Sequence, residues 1–544
     1  MAIGQSRRRQ DARAAEALVR AEEAGRRGDD DRALAILMEA VLAAPEAWAL
    51  YPPLARRLAP MGFAEASPAV AQAIAQALRA PVLDPQPLAA AAVSALKARH
   101  GNDGLSADAV QTDPLLLALL ERALIPDPAV EALLIGARKS LLAAVDEAPA
   151  PERARFAVAL ARQALLNGWM YAETEAEAAD VEALGARLAG ADRFGHAHVV
   201  YGLYRPLAGL RNAAAIAAAA KGPWREAARV LVEEPLEERR LGAGLPSLGY
   251  RADAATDAVK AQYEAFPYPR WTGAARRRPR PIVEVARRLF PAADLPSWPT
   301  GRLDVLIAGC GTGKHAADVL SRFAHVRLLA VDISRTALGF AARALKDAPD
   351  VAFAEADILA LDGLDRRFDH IESVGVLHHL ADPLAGWRML ANLLRPHGSM
   401  RVGFYSKRGR SRIEAARSAL RDAGFDGLTD RNLRAARAYV LAAPDGDPVR
   451  LAAGELDFYA ASGARDFLFH ANEFEYRPGE LAEMADALGL RVLGLELTDP
   501  GAGSRYRAKF PDDPAMADLR RWDAVEAEAP DVFRHMCQFW VIKK

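Results

Sequence analysis

The stretch LDVLIAGCGTGKHA, residues 303–316, decides the fold class of this chain. Its first part, LDVLIAG, is a short apolar run bounded by glycine, which is typical of a buried strand. In the turn that follows, Gly309, Gly311 and Gly313 permit positive φ and a close approach of the backbone to a ligand. The turn opens a helical pattern at Lys314, and the free N–H groups of such a helix end favour an anion or a carboxylate.

Strand-like runs and helical runs alternate downstream of this glycine turn. The predicted strands are 303–309, 326–334, 351–359, 368–376 and 399–406, with two later ones at 491–498 and 536–544, and the predicted helices are 314–324, 334–348 and 382–395. Alternation at this spacing indicates a parallel sheet with right-handed crossovers. The sequence therefore predicts an α/β fold whose Rossmann-like sheet has seven strands.

Three kinds of nucleotide-binding turn compete for the glycine pattern. A phosphate-binding P-loop needs glycine and Ser/Thr at the positions of Ala308 and His315, and a dinucleotide fingerprint needs glycine at Lys314. The G-x-G-x-G pattern as it stands is the one used by enzymes that bind S-adenosylmethionine (SAM).

Two aspartates follow at the ends of the next two predicted strands. Asp332 lies about twenty residues beyond the glycines, where a carboxylate can accept both hydroxyl protons of an adenosine ribose. Asp357 can accept from the adenine amino group while Ile358 lies against the ring. Each aspartate alone could be a helix cap, but carboxyl ends of successive parallel strands are where open α/β sheets bind ligands.

Residues 303–406 resemble the core of class I SAM-dependent methyltransferases, and FDHIESVGVLHHLADP and LLRPHGSMRV resemble motifs that follow the family's fourth strand. His397 departs from the family's usual Pro-Gly-Gly turn. The segments YEAFPYPRW (263–271) and FWVIKK resemble those of bacterial members that carry a helical-repeat domain. The resemblance implies SAM as cofactor and the strand order 3-2-1-4-5-7-6 with the last strand antiparallel. The predicted cofactor-binding residues are Gly309, Cys310, Gly311, Gly313, Asp332, Ile333, Asp357, Ile358, Val374 and Arg270.

Three residues are candidates for a general base, which methyl transfer needs only if the nucleophile arrives protonated. They are His378 and His379, directly after the fourth strand, and Glu372 within it; a packed or capping histidine is the alternative interpretation. Upstream, Pro267 and Pro269 force an extended segment. That segment either folds across the SAM site, with Arg270 pairing a carboxylate, or only ties the helical half to the sheet.

The first half of the chain is rich in helix formers. Residues 14–45 resemble one tetratricopeptide repeat, with Gly28 at the turn and Pro45 closing the unit. This half is predicted to be a tetratricopeptide-like domain that recruits a protein substrate; the alternative is an unrelated bundle that caps or dimerises the enzyme. Domain interfaces are usually modest, so a fragment from about Arg251 onward is expected to fold alone.

The predicted domains are a helical domain (1–235), a connector (236–300), a SAM-binding core (301–408), a helical insertion (409–490) and the last two strands (491–544). The insertion is interpreted as a lid that contributes substrate specificity, or alternatively as an additional helical core.

Composition excludes several function classes. Lys+Arg total 70 and Asp+Glu 71 among 544 residues, which argues against a general nucleic-acid binder. Two cysteines exclude a disulfide framework, and no metal-ligand spacing is evident. The first residues do not resemble a signal peptide, and no membrane span is predicted, so a cytoplasmic enzyme is expected. The sequence does not decide whether the acceptor is a protein side chain or a small metabolite. A homodimer is possible, and the alternative function is a non-catalytic adaptor whose methyltransferase fold is degenerate.

Overall fold

The computed structural model describes residues 2–101, 106, 110–251 and 253–543, and the first half of the chain is built from helices. These helices are Ala2–Arg26, Asp30–Ala43, Tyr51–Leu58, Pro68–Arg79, Ala89–His100, Pro114–Arg122, Pro128–Ala143, Pro151–Asn167, Glu175–Leu188, His196–Gly202, Ala213–Ala218, Arg225–Ala228 and Glu234–Ala243. Gly28 has φ +78° in the turn between the first two. The helix pair is thus present, whereas its assignment as a tetratricopeptide repeat stays a prediction.

Local sequence explains where several of these helices begin. Pro128 and Pro151 each occupy the first turn of a helix, where the missing N–H costs nothing. The Asp127 carboxylate accepts hydrogen bonds from two backbone N–H groups of its helix. Thr174 and Glu177 form a reciprocal capping box. The proline clusters therefore mark helix boundaries, as the sequence predicts.

The second half contains one seven-stranded sheet. Its strands are β1 (Leu303–Ala308), β2 (Val326–Asp332), β3 (Val351–Glu355), β4 (Phe368–Val374), β5 (Leu394–Phe404), β6 (Leu490–Leu495) and β7 (Cys537–Lys543). The strand order is β3-β2-β1-β4-β5-β7-β6. The first five strands pair in parallel, and β7 runs antiparallel to both of its neighbours. The predicted sheet and its order are confirmed.

Helices cover the sheet and extend beyond it. Those that follow the first strands are Lys314–Arg322, Arg335–Ala344 and Pro383–Asn392; the insertion holds Lys407–Asp422, Asp430–Ala442, Ala461–Phe469 and Pro478–Ala487; Ala502–Lys509 and Leu519–Glu528 precede β7. Every residue of β1 is buried, as expected of a parallel strand covered on both faces. The carboxyl ends of β1–β4 are thereby left to form the site.

The segment between the two halves is more than a connector. The helix Glu234–Ala243 packs on the helix Arg335–Ala344, and a Cβ added at Gly339 would lie 2.1 Å from the carbonyl oxygen of Glu238. Pro246 and Leu248 exchange backbone hydrogen bonds with Glu355 at 2.9 Å. Residues 234–249 therefore cover the β3 edge of the sheet, and Ala254–Ala265 and Ile282–Leu289 follow as further helices.

The insertion also contacts the helical half. Arg437 donates to both carboxylate oxygens of Glu131 at 2.9 Å, and both side chains are buried. Met170 packs in one apolar cluster with Leu433 and Ala464. Helical domain, sheet and insertion are thus joined by buried contacts. Among the described residues, no helix is long and apolar enough to cross a bilayer.

Candidate SAM and acceptor site

A cavity of about 740 Å³ lies at the carboxyl ends of the parallel strands. It is bounded by the glycine turn after β1, by the ends of β2, β3 and β4, and by residues from three more distant segments. Tyr263 and Tyr268 come from the segment before the sheet, Asp466 comes from the insertion, and Gln538 comes from β7. Its volume is within the roughly 300–1,000 Å³ of typical small-ligand sites.

The glycine turn needs its glycines for two different reasons. Gly309 and Gly311 have φ of +80° and +53° and line the cavity. A Cβ at Gly311 would lie 2.5 Å from the carbonyl oxygen of Tyr268. Gly313, at φ +81°, is not among the lining residues, and its added Cβ would lie 2.8 Å from the Cβ of Ala341. Gly313 therefore permits helix packing behind the turn.

The two predicted aspartates lie at the cavity, each fixed by backbone N–H groups. Asp332 accepts from Gly311 N at 2.7 Å and from Ser334 N at 3.0 Å. Burial raises the pKa of Asp332, against the effect of these hydrogen bonds. Asp357 accepts from Leu359 N at 2.9 Å and from Arg251 N at 3.2 Å. Both carboxylates are therefore oriented before a ligand arrives.

Most of the predicted cofactor-binding residues meet at this one cavity. Those that line it are Gly309, Cys310, Gly311, Asp332, Ile333, Asp357, Ile358 and Val374. Arg270 is not among the lining residues, and its role as a cofactor ligand stays a prediction. Its guanidinium pairs with Glu238 at 2.9 Å and lies over the ring of Phe340, because the segment turns away toward the helix Glu234–Ala243.

Different residues of the extended segment 263–271 make different contacts. Tyr263 and Tyr268 line the cavity, whereas the indole N–H of Trp271 donates to the carbonyl of Thr312 at 3.1 Å. The Tyr263 hydroxyl donates to Asp466 at 2.5 Å, and the Tyr268 hydroxyl donates to Asp457 at 2.8 Å. The segment thus joins the glycine turn to the insertion.

Of the two adjacent histidines after β4, only His379 reaches the cavity. Its Nδ1–H donates to the carbonyl of Asn472 at 3.0 Å, and its ring stacks on His470 with centroids 3.7 Å apart. Burial lowers the pKa of His379 to about 4. His379 is therefore neutral near pH 7, and its Nε2 holds the lone pair.

His378 is misplaced for a base that touches substrate. It is fully buried and packs between Tyr405, with centroids 4.1 Å apart, and His379. Burial holds the pKa of His378 well below its usual range. His378 is absent from the cavity lining and packs behind His379, and its candidate role as a base stays a prediction.

Glu372 is likewise not a lining residue of the cavity, and its candidate role as a base stays a prediction. It is fully buried in β4, where it accepts from His315 at 2.5 Å, from His370 at 3.1 Å and from Arg401 at 3.0 Å. Arg322 also pairs with it. Burial alone would raise the pKa of Glu372, but the Arg322 and Arg401 guanidiniums hold it well below its usual range. Glu372 thus holds His315 and Arg401, which both line the cavity.

Several cavity residues have no clear signal in the local sequence. They include Lys314, His315, Asp318, Arg401, Tyr405, Asp466 and Gln538. Asp466 lies four residues before His470 in the aromatic stretch of the insertion. This spacing places both side chains on one face of a helix and could have indicated Asp466. For Arg401 and Gln538, only the neighbouring positions of β5 and β7 bring them to the site.

We name the side of the cavity made by Tyr263, Tyr268, His379, Tyr405 and Asp466 the acceptor wall. The remaining lining residues offer the groups that SAM needs, which are hydrogen-bond acceptors and apolar surface. Asp332 and Asp357 offer acceptors for ribose hydroxyls and for an adenine amino group, while Ile333, Ile358 and Val374 offer apolar surface. The residues present therefore fit SAM, which supplies an activated methyl group on a sulfonium when bound.

Comparisons with known proteins agree with this site. Residues 306–400 match a family model described as a methyltransferase domain. An uncharacterized protein of Synechococcus sp. is 26% identical over 307 residues, which are 52% of this chain and 70% of that protein. An uncharacterized methyltransferase of Mycobacterium tuberculosis is 34% identical over 104 residues, 19% of this chain. This chain spans 51% of the length of that mycobacterial relative.

Solved structures also resemble the chain. PKMT2 from Rickettsia typhi in complex with AdoHcy is 20% identical with a TM-score of 0.38, covering 48% of this chain and 53% of that one. The N-methyltransferase NodS from Bradyrhizobium japonicum in complex with S-adenosyl-L-homocysteine is 24% identical with a TM-score of 0.19, covering 23% and 60%. From its sheet order, its site and the family match, this chain carries a class I SAM-dependent methyltransferase domain. The matched region is thus a methyltransferase domain, and SAM is the cofactor of this class.

Proposed function

We propose that this methyltransferase modifies a protein side chain whose tip enters the cavity beside the acceptor wall. The observation that carries the proposal is the size of the cavity, about 740 Å³ in total. With SAM held along the glycine turn and the two aspartates, the remaining space suits a narrow group better than a second bulky metabolite.

The helical half supports a protein substrate in a second way. Two surface grooves of about 630 and 540 Å³ lie on it, one at residues 18–57 and one at residues 45–115. Helical domains commonly present such surfaces to partner chains. The buried Glu131–Arg437 pair connects this half to the insertion, which also contributes Asp466 to the cavity.

Methyl transfer asks little of the protein beyond alignment. The acceptor's lone pair forms a bond to the methyl carbon while the sulfur–carbon bond breaks and its electron pair stays on sulfur. Holding nucleophile and methyl group in line is worth several kcal/mol, up to about 7–11 kcal/mol in ideal cases. In this chain, Tyr263, Tyr268 and His379 align the acceptor. Hydrogen bonds to residues of the insertion fix the positions of these three side chains.

The test is a labelling experiment with the full-length protein. It is incubated with methyl-labelled SAM and an extract from its source cells, and protein and small-molecule fractions are then separated. We expect label in protein, and clearly less label with the Asp332→Ala variant. Label confined to small molecules would contradict a protein acceptor, and no label in either fraction would contradict methyl transfer to any acceptor in the extract.

A further inference from the structure

The acceptor wall contains a buried carboxylate with no cation beside it. Asp466 is 5% exposed. It accepts from the Tyr263 hydroxyl at 2.5 Å, and its other near neighbour is His470 at 3.8 Å. Among the described residues, no arginine or lysine lies within 4 Å of it. A buried carboxylate without a cation is costly, so this position favours a cationic ligand.

The two imidazoles next to Asp466 do not supply that cation. Burial lowers the pKa of His470 to about 4, and the pKa of His379 is also about 4. The nearby arginines form ion pairs with other carboxylates: Arg410 pairs with Glu473 at 2.9 Å, and Arg401 pairs with Glu372 at 3.0 Å. No arginine or lysine of the described residues therefore pairs directly with Asp466, although the guanidinium of Arg410 acts on it from a greater distance.

One residue, Asn472, fixes the tautomers of both histidines. Its carbonyl accepts from His379 Nδ1–H at 3.0 Å, so the lone pair of His379 is on Nε2. Its N–H donates to His470 Nδ1 at 3.0 Å, so the hydrogen of His470 is on Nε2, which lies 3.2 Å from the Tyr263 hydroxyl. Only His379 therefore keeps a free acceptor nitrogen.

The same tautomers argue against a metal ion at this cluster. One ring nitrogen of His379, one of His470 and one oxygen of Asp466 lie within 4.8 Å of one another. A metal ligand has to be an unprotonated nitrogen with a free lone pair. In His470 one nitrogen accepts from Asn472 and the other carries the hydrogen, so a full set of three ligands is lacking.

The spacing leaves room for an amine nitrogen instead. One ring nitrogen of His379 and one carboxylate oxygen of Asp466 lie within 4.8 Å of each other, so a nitrogen between the two side chains can donate hydrogen bonds to both. The rings of Tyr263 and Tyr268 line the same space, and aromatic faces attract cations. Their hydroxyls are already donated to Asp466 and Asp457, so the wall offers mainly acceptors and π-surface.

We infer that the acceptor is an amine, bound in its ammonium form between Asp466 and His379. The inference rests on the proposed function and names the nucleophile. The ammonium donates one hydrogen to the Asp466 carboxylate and one to His379 Nε2, and it releases its third proton to solvent, which frees the nitrogen lone pair. That lone pair then forms the N–C bond as the sulfur–carbon bond breaks and its electron pair stays on sulfur.

The chemical form of the label tests the amine directly. Protein labelled by the full-length enzyme is hydrolysed, and the products are separated by chromatography. We expect label in N-methylated amino acids that are stable to alkali. Label released by alkali as methanol, as from a methyl ester, or found on sulfur would overturn the amine while leaving a protein acceptor intact. Label in N-methylated small molecules would support the amine and overturn only the protein acceptor.

A variant pair tests the role of Asp466. Asp466→Asn keeps the shape but removes the charge, so we expect turnover to fall by about ten- to a hundredfold. Affinity for SAM and for S-adenosylhomocysteine should stay within about twofold of wild type, which also shows that the variant is folded. Asp430→Asn, an exposed carboxylate of the insertion paired with Arg465, is the matched control and should keep wild-type turnover.

Two results would overturn the inference. If Asp466→Asn lowers affinity for SAM but not for S-adenosylhomocysteine, the carboxylate serves the sulfonium rather than the acceptor. If it turns over like Asp430→Asn, the charge of Asp466 has no part in acceptor binding. Neither result bears on label transfer by the wild-type enzyme, so failure of the proposed function would be recognised separately.

Discussion

At the residue scale, Asp332 is held against the glycine turn, because its Oδ2 accepts from Gly311 N at 2.7 Å. We expect Asp332→Ala to weaken SAM binding by about 1.5–3 kcal/mol, since charged hydrogen bonds to the ribose are lost. Titration calorimetry measures the change. Asp362→Ala, in the exposed turn after β3, is the control and should bind normally. Unchanged binding in Asp332→Ala would reject Asp332 as a cofactor ligand.

Gly311 is a second residue whose change should act locally. At φ +53°, with the Tyr268 carbonyl oxygen 2.5 Å from an added Cβ, valine cannot be accommodated without moving Tyr268. We expect Gly311→Val to lose measurable SAM binding in calorimetry while circular dichroism shows the helical half folded. Gly363→Val, where an added Cβ has no neighbour within 4 Å, is the matched control. SAM binding by Gly311→Val as strong as that of Gly363→Val would contradict this account.

At the scale of elements, Glu372 holds three of them together. From β4 it accepts from His315 and pairs with Arg322, both on the helix Lys314–Arg322, and it accepts from Arg401 on β5. Removing one partner of a buried ion pair costs about 3–5 kcal/mol. We expect Glu372→Gln to lower the free energy of unfolding by that amount at pH 7, as measured by urea denaturation.

The pH dependence of that difference follows from the lowered pKa of Glu372 in the folded state. A carboxylate with a lowered pKa stabilises the fold above its ordinary value of 4.5, and the contribution is lost as pH falls below it. The gap in unfolding free energy between wild type and Glu372→Gln should therefore be constant above about pH 4.5 and shrink at lower pH. Glu483→Gln, exposed on the helix Pro478–Ala487, should show no such gap.

At the scale of the whole molecule, the structure changes the expectation for a fragment that begins at Arg251. Such a fragment has every strand, but it lacks the helix Glu234–Ala243 and the backbone hydrogen bonds that Pro246 and Leu248 make with Glu355. Without the helix Glu234–Ala243, the face of the helix Arg335–Ala344 that contains Gly339 has lost the helix that packs against it. Glu131, the buried partner of Arg437, is missing as well.

We therefore expect the fragment 251–544 to bind SAM much more weakly than the fragment 234–544, because only the longer one keeps residues 234–249 over the β3 edge. Calorimetry with SAM and thermal unfolding compare the two, with the full chain as reference. Equal affinity in both fragments would show that residues 234–249 do not support the site and would restore the simpler view of a connector.

Part of the site could be predicted because its signals are local. Gly309, Gly311, Asp332 and Asp357 follow consecutive strands, and parallel strands bring their carboxyl ends to one edge of the sheet. His397, where related turns have glycine, keeps the left-handed conformation with φ +60°. Local backbone demands of this kind are visible in the residue types themselves.

The roles of the charged candidates could not be predicted, because burial and pairing depend on distant segments. Glu372 and Asp466 are both acidic, yet one is neutralised by Arg322 and Arg401 and the other has no cation beside it. Likewise an arginine such as Arg270 could bind the carboxylate of a ligand, but the guanidinium of Arg270 forms an ion pair with Glu238. Nothing within a few residues of either position distinguishes these outcomes.

The sequence by itself determined the α/β class, the seven strands and the cofactor residues at the strand ends, because periodicity and glycine placement act over short distances. Only the tertiary structure decided which histidine lines the cavity and which buried carboxylate has no arginine or lysine paired with it. Tyr263 and Asp466 meet across 203 residues of chain, and the free energy of a buried charge depends on every group packed around it.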